Sequence, residues 1–331
     1  MNISQLVASS LNITNDDFAN ALNSTHDDFN KFKFNASSGN EMGIVNDGSI
    51  YADVGVALIG QKILNRGTVS TGDGGFVVMT AGDKVTLGQP GSNILVEMNS
   101  STSTIPDAGT VVNERIDNDR PGMIESPGGQ IVLAAGDLFS AAMTPEDRTA
   151  KVLFGDGIVE QKGTIDASAS MTSLEGKGGI VNMTSGDRTT LYSGSITKAN
   201  AYDTGDSGLV SVHSQGISEL LATAEIEAKG GYTPTELETD TGNFKVLVVK
   251  ENSVEIIGDD VEVLGSIDAT PSGLIKKGKI YIEADDLKIV DELPTTNTTN
   301  LIVEEFIEDH SDNGVDVELA AHSKSNGTIT A

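Results

Sequence analysis

Asp83, Asp137 and Asp187 each follow a glycine at the end of a run of alternating residues, with Lys84, Arg148 and Arg188 close behind. Stacked as a column beside a basic residue or a calcium ion, these carboxylates would supply the clustered acids that polysaccharide lyases and hydrolases use. An aspartate after glycine at a strand end is first a turn residue, its side chain bonding its own backbone. We read all three that way. The acidic pairs Asp259-Asp260, Asp285-Asp286 and Glu304-Glu305 fall on strand-turn patterns without a partner to raise a carboxyl into the range of a general acid. They read as solvated edges.

Metal and phosphate chemistry fare no better. His26, His213, His310 and His322 are scattered, with no pair at i, i+4 in a zinc pattern. Gly72-Asp73-Gly74-Gly75 resembles the calcium nonapeptide repeat only faintly, because it does not recur in tandem. The glycine pairs lead into strands rather than helices, which argues against a phosphate loop. The chain has no cysteine, so disulfides, thiolate zinc sites and cysteine nucleophiles are excluded together. No catalytic, cofactor-binding or metal residue is assigned.

The elements that carry these residues form a repeat. Gly74-Gly75-Phe76-Val77-Val78-Met79-Thr80-Ala81-Gly82-Asp83 returns as Gly128-Gly129-Gln130-Ile131-Val132-Leu133-Ala134-Ala135-Gly136-Asp137, then as Gly178-Gly179-Ile180-Val181-Asn182-Met183-Thr184-Ser185-Gly186-Asp187. Aligning the copies separates two faces of a strand. Val77, Ile131 and Val181 share a column, as do Met79, Leu133 and Met183, and Ala81, Ala135 and Ser185. These stay apolar or small and point inward. Val78, Val132 and Asn182, like Phe76, Gln130 and Ile180, mix polarity and are expected to face out. Fainter copies follow at Gly208, with Val210 and Val212, and at Gly278, with Ile280, Ile282 and Ala284; there Lys279, Tyr281 and Glu283 take the outward positions.

A second element precedes the block, in which a polar residue, Gly, and Ser or Thr lead to a β-branched residue: Gly48-Ser49-Ile50, Gly67-Thr68-Val69, Gly163-Thr164-Ile165, Gly194-Ser195-Ile196 and Gly265-Ser266-Ile267. It describes a turn into a short strand, with glycine available for φ > 0. The first two copies lie 19 residues apart, about the chain that one turn of three short strands needs. The spacings of 54 and 50 residues between the full blocks then read as two rungs plus an excursion each. Two polar excursions fit, Gln89 to Pro121 and Asp166 to Lys177. Within the first, 93–98 and 109–113 are expected to pair as a hairpin outside the coil. A helix capped by Asn15 follows an initial strand and is expected to cap the coil. Strands at 297–303 and 315–319 have nothing after them, and the fold is expected to stop in mid-fibre. The architecture is all-β, a right-handed parallel β-helix (solenoid) with short extra-helical strand or loop excursions.

The formal charge is −28, from 49 acidic and 21 basic residues spread along the chain. Nucleic acid is an unsuitable partner for such a surface, since phosphate binding needs a basic face. No window approaches the roughly 18 to 20 apolar residues that span a bilayer. Met1 to Val7 carry neither the basic region nor the apolar stretch of a signal peptide.

Three stretches carry a family resemblance: Leu6-Val7-Ala8-Ser9-Ser10-Leu11-Asn12-Ile13 leading into Asp16-Asp17-Phe18, then Ile63 to Leu87, then Ile124 to Asp137. Together they resemble the N-terminal secretion domain of filamentous haemagglutinin-type exoproteins, well over about residues 5 to 140 and afterwards in repeat style only. The resemblance implies two-partner secretion through a dedicated outer-membrane β-barrel partner, an extracellular or cell-surface location, and roles in adhesion or contact-dependent competition. The family's signal peptide and Asn-Pro-Asn-Gly segment are not found ahead of Leu6. The expectation is therefore a secretion-domain-like unit over 1–140 lacking its start, continued over 141–331 by irregular repeats cut short at the C-terminus. Function is expected to be non-catalytic display of loops to a glycan or cell-surface ligand. The alternatives are a carbohydrate-active lyase or hydrolase, for which aromatics are scarce at 4% with no Trp, or a nonfunctional gene fragment.

Overall fold

A computed structural model describes residues 3–27, 30–37, 43–88, 94–99, 107–143, 151–154, 156–203, 205–230, 235–237, 245–247, 253–272, 277–296, 298–321 and 329–330. The chain coils through three parallel sheets in turn. Gly55–Gly60 lies in sheet 1, Lys62–Asn65 in sheet 2 and Thr68–Thr71 in sheet 3, and Phe76–Ala81 returns to sheet 1 beside Gly55–Gly60. Sheet 1 has nine strands, sheets 2 and 3 seven each. This is a parallel β-helix.

The inward columns stack in register. Val77 pairs with Ile131 and Ile131 with Val181; Met79, Leu133 and Met183 do the same one step along. All six side chains are fully buried. The fainter copies continue the columns: Val210 pairs with Val254 and Val254 with Ile280. Val254–Ile257 opens a further rung, continued by Asp260–Val263 and Ser266–Asp268, that no glycine pair announces. Sheet 3 has its own column, from Ile50 through Val69, Ile124 and Ile165. The column passes next to Thr197 rather than Ile196, because residues 192–195 make a longer turn there and Ile196 takes the place of Thr164.

Stacking, more than left-handed backbone, dictates the glycines. A Cβ on Gly129 would strike the carbonyl oxygen of Gly75, one on Gly179 that of Gly129, and one on Gly208 that of Gly179. At the corner between sheets 2 and 3, Gly67 meets Gly48 O and Gly163 meets Gly122 O in the same way. Positive φ occurs at the first glycine of two pairs, Gly74 (67°) and Gly128 (58°), at Gly136 (111°) of one Gly-Asp step, and at turns such as Gly194 (78°).

That second corner also holds a buried amide ladder. Asn46 Nδ2 donates to Asn65 Oδ1, Asn65 Nδ2 to Asn113 Oδ1, and Asn113 Nδ2 to Gln161 Oε1, each over 2.8 Å. Spare N–H groups reach the carbonyls of Met123, Thr164 and Ile196. In low dielectric such a chain is stabilising because every member is satisfied. It ends at Leu191, which occupies the next rung.

Outside the coil lies a five-stranded antiparallel sheet, in the order Lys151–Phe154, Asp137–Met143, Ile94–Asn99, Lys84–Gly88, Lys31–Asn35. It covers the outer face of the first rungs of sheet 1. Ala57, Ile59, Val78, Val132 and Ala134 form a second core there with Phe34, Val85, Leu87 and Leu11. The column expected to face out does leave the coil, but Val78 and Val132 are fully buried beneath this sheet.

Two expectations are corrected by the strand order. The block at Phe76–Ala81 is adjacent to that at Gln130–Ala135, and the latter to Ile180–Ser185. The 54 and 50 residues therefore span one rung each plus an excursion, not two rungs. The first excursion is bound to the outer sheet and a further one, from Asp137, joins it. Ile94–Asn99 does lie outside the coil, but Thr110–Glu114 is a sheet 2 strand between Lys62–Asn65 and Ile158–Lys162, so the two do not form a hairpin; Gln89 and Asn93 lie outside the described residues.

At the beginning, Gln5–Ser9 pairs with Gly55–Gly60. Helix α1 (Asn15–Leu22) is capped by the Thr14 hydroxyl, which accepts from Asp17 N–H, rather than by Asn15. It packs on the outer sheet, with Phe18 against Phe32, and does not cover the coil. Near the other end an unforeseen helix, α2 (Glu304–Asp312), separates Leu301–Val303 from Val315–Ala321. Phe306 and Ile307 pack on the main core. His310 faces two carbonyl oxygens, Phe306 O at 2.6 Å and Ile267 O at 2.9 Å, so α2 sits over the last strand of sheet 3. No described helix is long and apolar enough to cross a membrane.

Candidate functional site

The three Gly-Asp residues do not stack. Asp83 N–H donates to Asn99 O, and its carboxylate accepts from Gln61 Nε2 at 2.7 Å. Asp137 opens a strand of the outer sheet opposite Phe154. Asp187 stays in the coil, exposed, with its N–H on Gly157 O. The chain leaves in different directions after the same sequence, which sends the three residues to separate elements. Lys84 begins an outer strand, Arg188 stands 3.7 Å from Glu219, and Arg148 lies outside the described residues.

The other candidates are likewise spread over separate elements. His213 sits on the outward face of sheet 1 between Thr184 and Ile257. His26 follows α1, and His322 lies outside the described residues. Asp260 accepts from Asn300 Nδ2, and Asp285 N–H donates to Asp259 O, so these pairs tie neighbouring rungs together. Glu304 and Glu305 occupy the first turn of α2, where acids suit the helix dipole. No three His, Asp or Glu side chains gather as a metal site among the described residues.

Charge is organised instead as ladders on the outward faces. On sheet 2, Glu160 takes Lys162 at 2.6 Å and the Tyr192 hydroxyl at 2.7 Å, while the Lys162 ammonium lies 4.4 Å from the Tyr192 ring centre. Burial, then the hydrogen bond to Glu160, push the Tyr192 phenol up to about 12. On sheet 3, Lys229 bridges Glu227 and Asp268. Burial alone would raise Glu227, but the Asn200 amide and the Lys198 and Lys229 ammoniums outweigh it and hold the carboxyl below its usual value. Asp268 is lowered in the same balance, by Lys229 and Thr270 against burial.

A loop and a sheet corner enclose space at the excursion after Thr164–Asp166. Asp73 accepts hydroxyls from Ser170, at 2.9 Å, and from Thr172. The Gly72-Asp73-Gly74-Gly75 turn thus pins the excursion from two rungs away, across the corner at Ser126 to Gly129. Between the excursion and the glycine-stacked corner runs a groove of about 240 Å³, lined by Gln130, Ser173, Lys177, Ile180, Ser207 and Leu209 over the stacked glycines. Nothing but the polarity of the 166–177 segment pointed to this groove.

No family model matches the chain. No curated protein matches it. Among solved structures it is similar to the crystal structure of the HMW1 secretion domain from Haemophilus influenzae, with 20% identity, a TM-score of 0.52, and coverage of 96% of this chain and 75% of that one. The likeness is one of fold.

Proposed function

We propose that the chain is a β-helical module of an exported exoprotein, passed across the outer membrane by a β-barrel partner and acting at the cell surface by display and adhesion rather than by catalysis. The observation that carries this reading is the match in fold to a secretion domain over 96% of the chain. The dispersal of Asp83, Asp137 and Asp187 weighs against a glycan-cleaving centre at the Gly-Asp turns. Ligand contact falls to the loops, since strands bury their inward columns and pair their backbones.

The test is an export assay. The chain is expressed behind a secretory signal peptide in a Gram-negative host, with and without a two-partner barrel transporter encoded beside its gene. The expected result is folded, protease-resistant chain in the medium or on the cell surface only when the barrel is present. Equal retention in the periplasm with and without the barrel would overturn the reading.

A further inference from the structure

We infer that the groove beside the 166–177 excursion binds a single carboxylated sugar ring, such as a hexuronate residue of an acidic glycan. Its floor is backbone, because stacking of Gly75, Gly129, Gly179 and Gly208 leaves no room for Cβ atoms. A glycine floor ordinarily suggests phosphate, held by free N–H groups. Here those donors are already used: Gly74, Gly128, Gly129, Gly178, Gly179 and Gly208 each give their N–H to a backbone carbonyl. Recognition therefore rests on side chains.

Gln130, Ser173 and Ser207 line it with polar groups; Ser173 Oγ already bonds Ser170 and Ser207 Oγ bonds Ser253, and each hydroxyl oxygen keeps a lone pair for a ligand hydroxyl. Ile180 and Leu209 add an apolar wall for a C–H face. Lys177 supplies one cation. It is half-buried, and among the described residues no carboxylate lies within 4 Å of it; Lys31, Lys84 and Lys288 also form no such pair, but of these only Lys177 lines the groove. In a chain of net charge −28, a cation without a protein partner beside a cavity is matched to an acid on the ligand. The volume of about 240 Å³ falls below the roughly 300–1,000 Å³ of clefts for drug-sized ligands and admits one ring. The wall is also held in advance: Ser170 N–H bonds Ser173 Oγ at 2.8 Å, and Tyr202 N–H bonds Gly176 O at 2.8 Å. Preorganisation of this kind lowers the entropy cost of binding.

The inference shares with the proposed function only the idea that a loop outside the coil meets the ligand. Because binding is measured on the purified, folded chain, a failure of export leaves it standing, and a failure of binding leaves export standing. The experiment titrates the chain with glucuronate, glucose and inorganic phosphate, followed by NMR shifts, alongside Lys177→Gln and Lys177→Arg. Glucuronate is expected to bind at least about ten-fold tighter than glucose or phosphate. Lys177→Gln should reduce it to the level of glucose, while Lys177→Arg keeps most of the preference, both with unchanged circular dichroism. Equal binding of glucuronate and glucose, no binding of either, phosphate as tight as glucuronate, or a preference that survives Lys177→Gln would each overturn it.

Discussion

Asn113→Ala removes the centre of the amide ladder. Two side-chain bonds of 2.8 Å are lost, one from Asn65 and one to Gln161. Asn65 Nδ2 keeps Met123 O, but Gln161 Oε1 is left with only a long bond of 3.4 Å from Gly163 N–H. At about 1 kcal/mol for each lost bond and about 1–3 kcal/mol for the stranded acceptor, the expected cost is about 3–5 kcal/mol. Asn46→Ala is the internal comparison: it loses one ladder bond and the bond from Gly48 N–H, at the 8% exposed end, where water entering the vacated space can replace Asn46 as donor to Asn65 Oδ1. Its expected cost is about 1–2 kcal/mol. Urea unfolding followed by far-ultraviolet circular dichroism separates the two: with a slope of about 3 kcal/mol per molar, Asn113→Ala lowers the midpoint by about 1 M or more. A midpoint for Asn113→Ala no lower than that for Asn46→Ala would refute the reasoning, since the ladder would then be filler and not a cooperative network.

Gly129→Ala should destabilise the chain more than Gly74→Ala in the same assay, because its Cβ meets the Gly75 carbonyl, whereas Gly74 faces open space and suffers only from its φ of 67°. Val132→Asp puts an unpaired charge under the outer sheet; hydrogen exchange should then lose protection over Lys84–Gly88 while Ile217–Leu220 keeps it. Folding raises the Tyr192 phenol from 10 to about 12, which favours its neutral form, so the associated stability is full below pH 10 and is lost as pH rises through about 12. Over that window the wild-type midpoint should fall further than that of Tyr192→Phe, and parallel pH curves would count against the Glu160 contact.

The coil was legible in the sequence because its causes are local. Alternation separates Val77 and Met79 from their neighbours, and glycine pairs mark where rungs must touch. The outer sheet was not, because an excursion and a rung both consist of short strands, and spacing counts residues without saying where they go. A signal was nonetheless present: Val56-Ala57-Leu58-Ile59 and Ile131-Val132-Leu133-Ala134 are apolar on both faces, as strands covered on both sides are. The polar Asn182 in the third copy masked it, and that strand lies where the outer core runs out. Helix α2 was missed because Glu304-Glu305 followed a β-branched run and no side chain caps it. The groove could not be foreseen, since it depends on Asp73 reaching the 166–177 segment from a rung that is 97 residues away in sequence.

The meeting of Asp83 N–H with Asn99 O has a kinetic meaning. Without it, laying the Gln130–Ala135 strand on Phe76–Ala81 requires closing a loop of 54 residues, from Val77 to Ile131. The antiparallel pairing of Leu87 with Val96 closes only nine residues and brings the chain back to the point where it left. Once that local pair exists, 16 residues no longer count toward the closure. Loop entropy rises only slowly with length, so the saving is a fraction of a kcal/mol, but it comes early, before any non-local contact repays it. The detour from Lys84 to Asn99 thus carries its own shortcut, and the rung that follows it is added at nearly the pace set by the short turns.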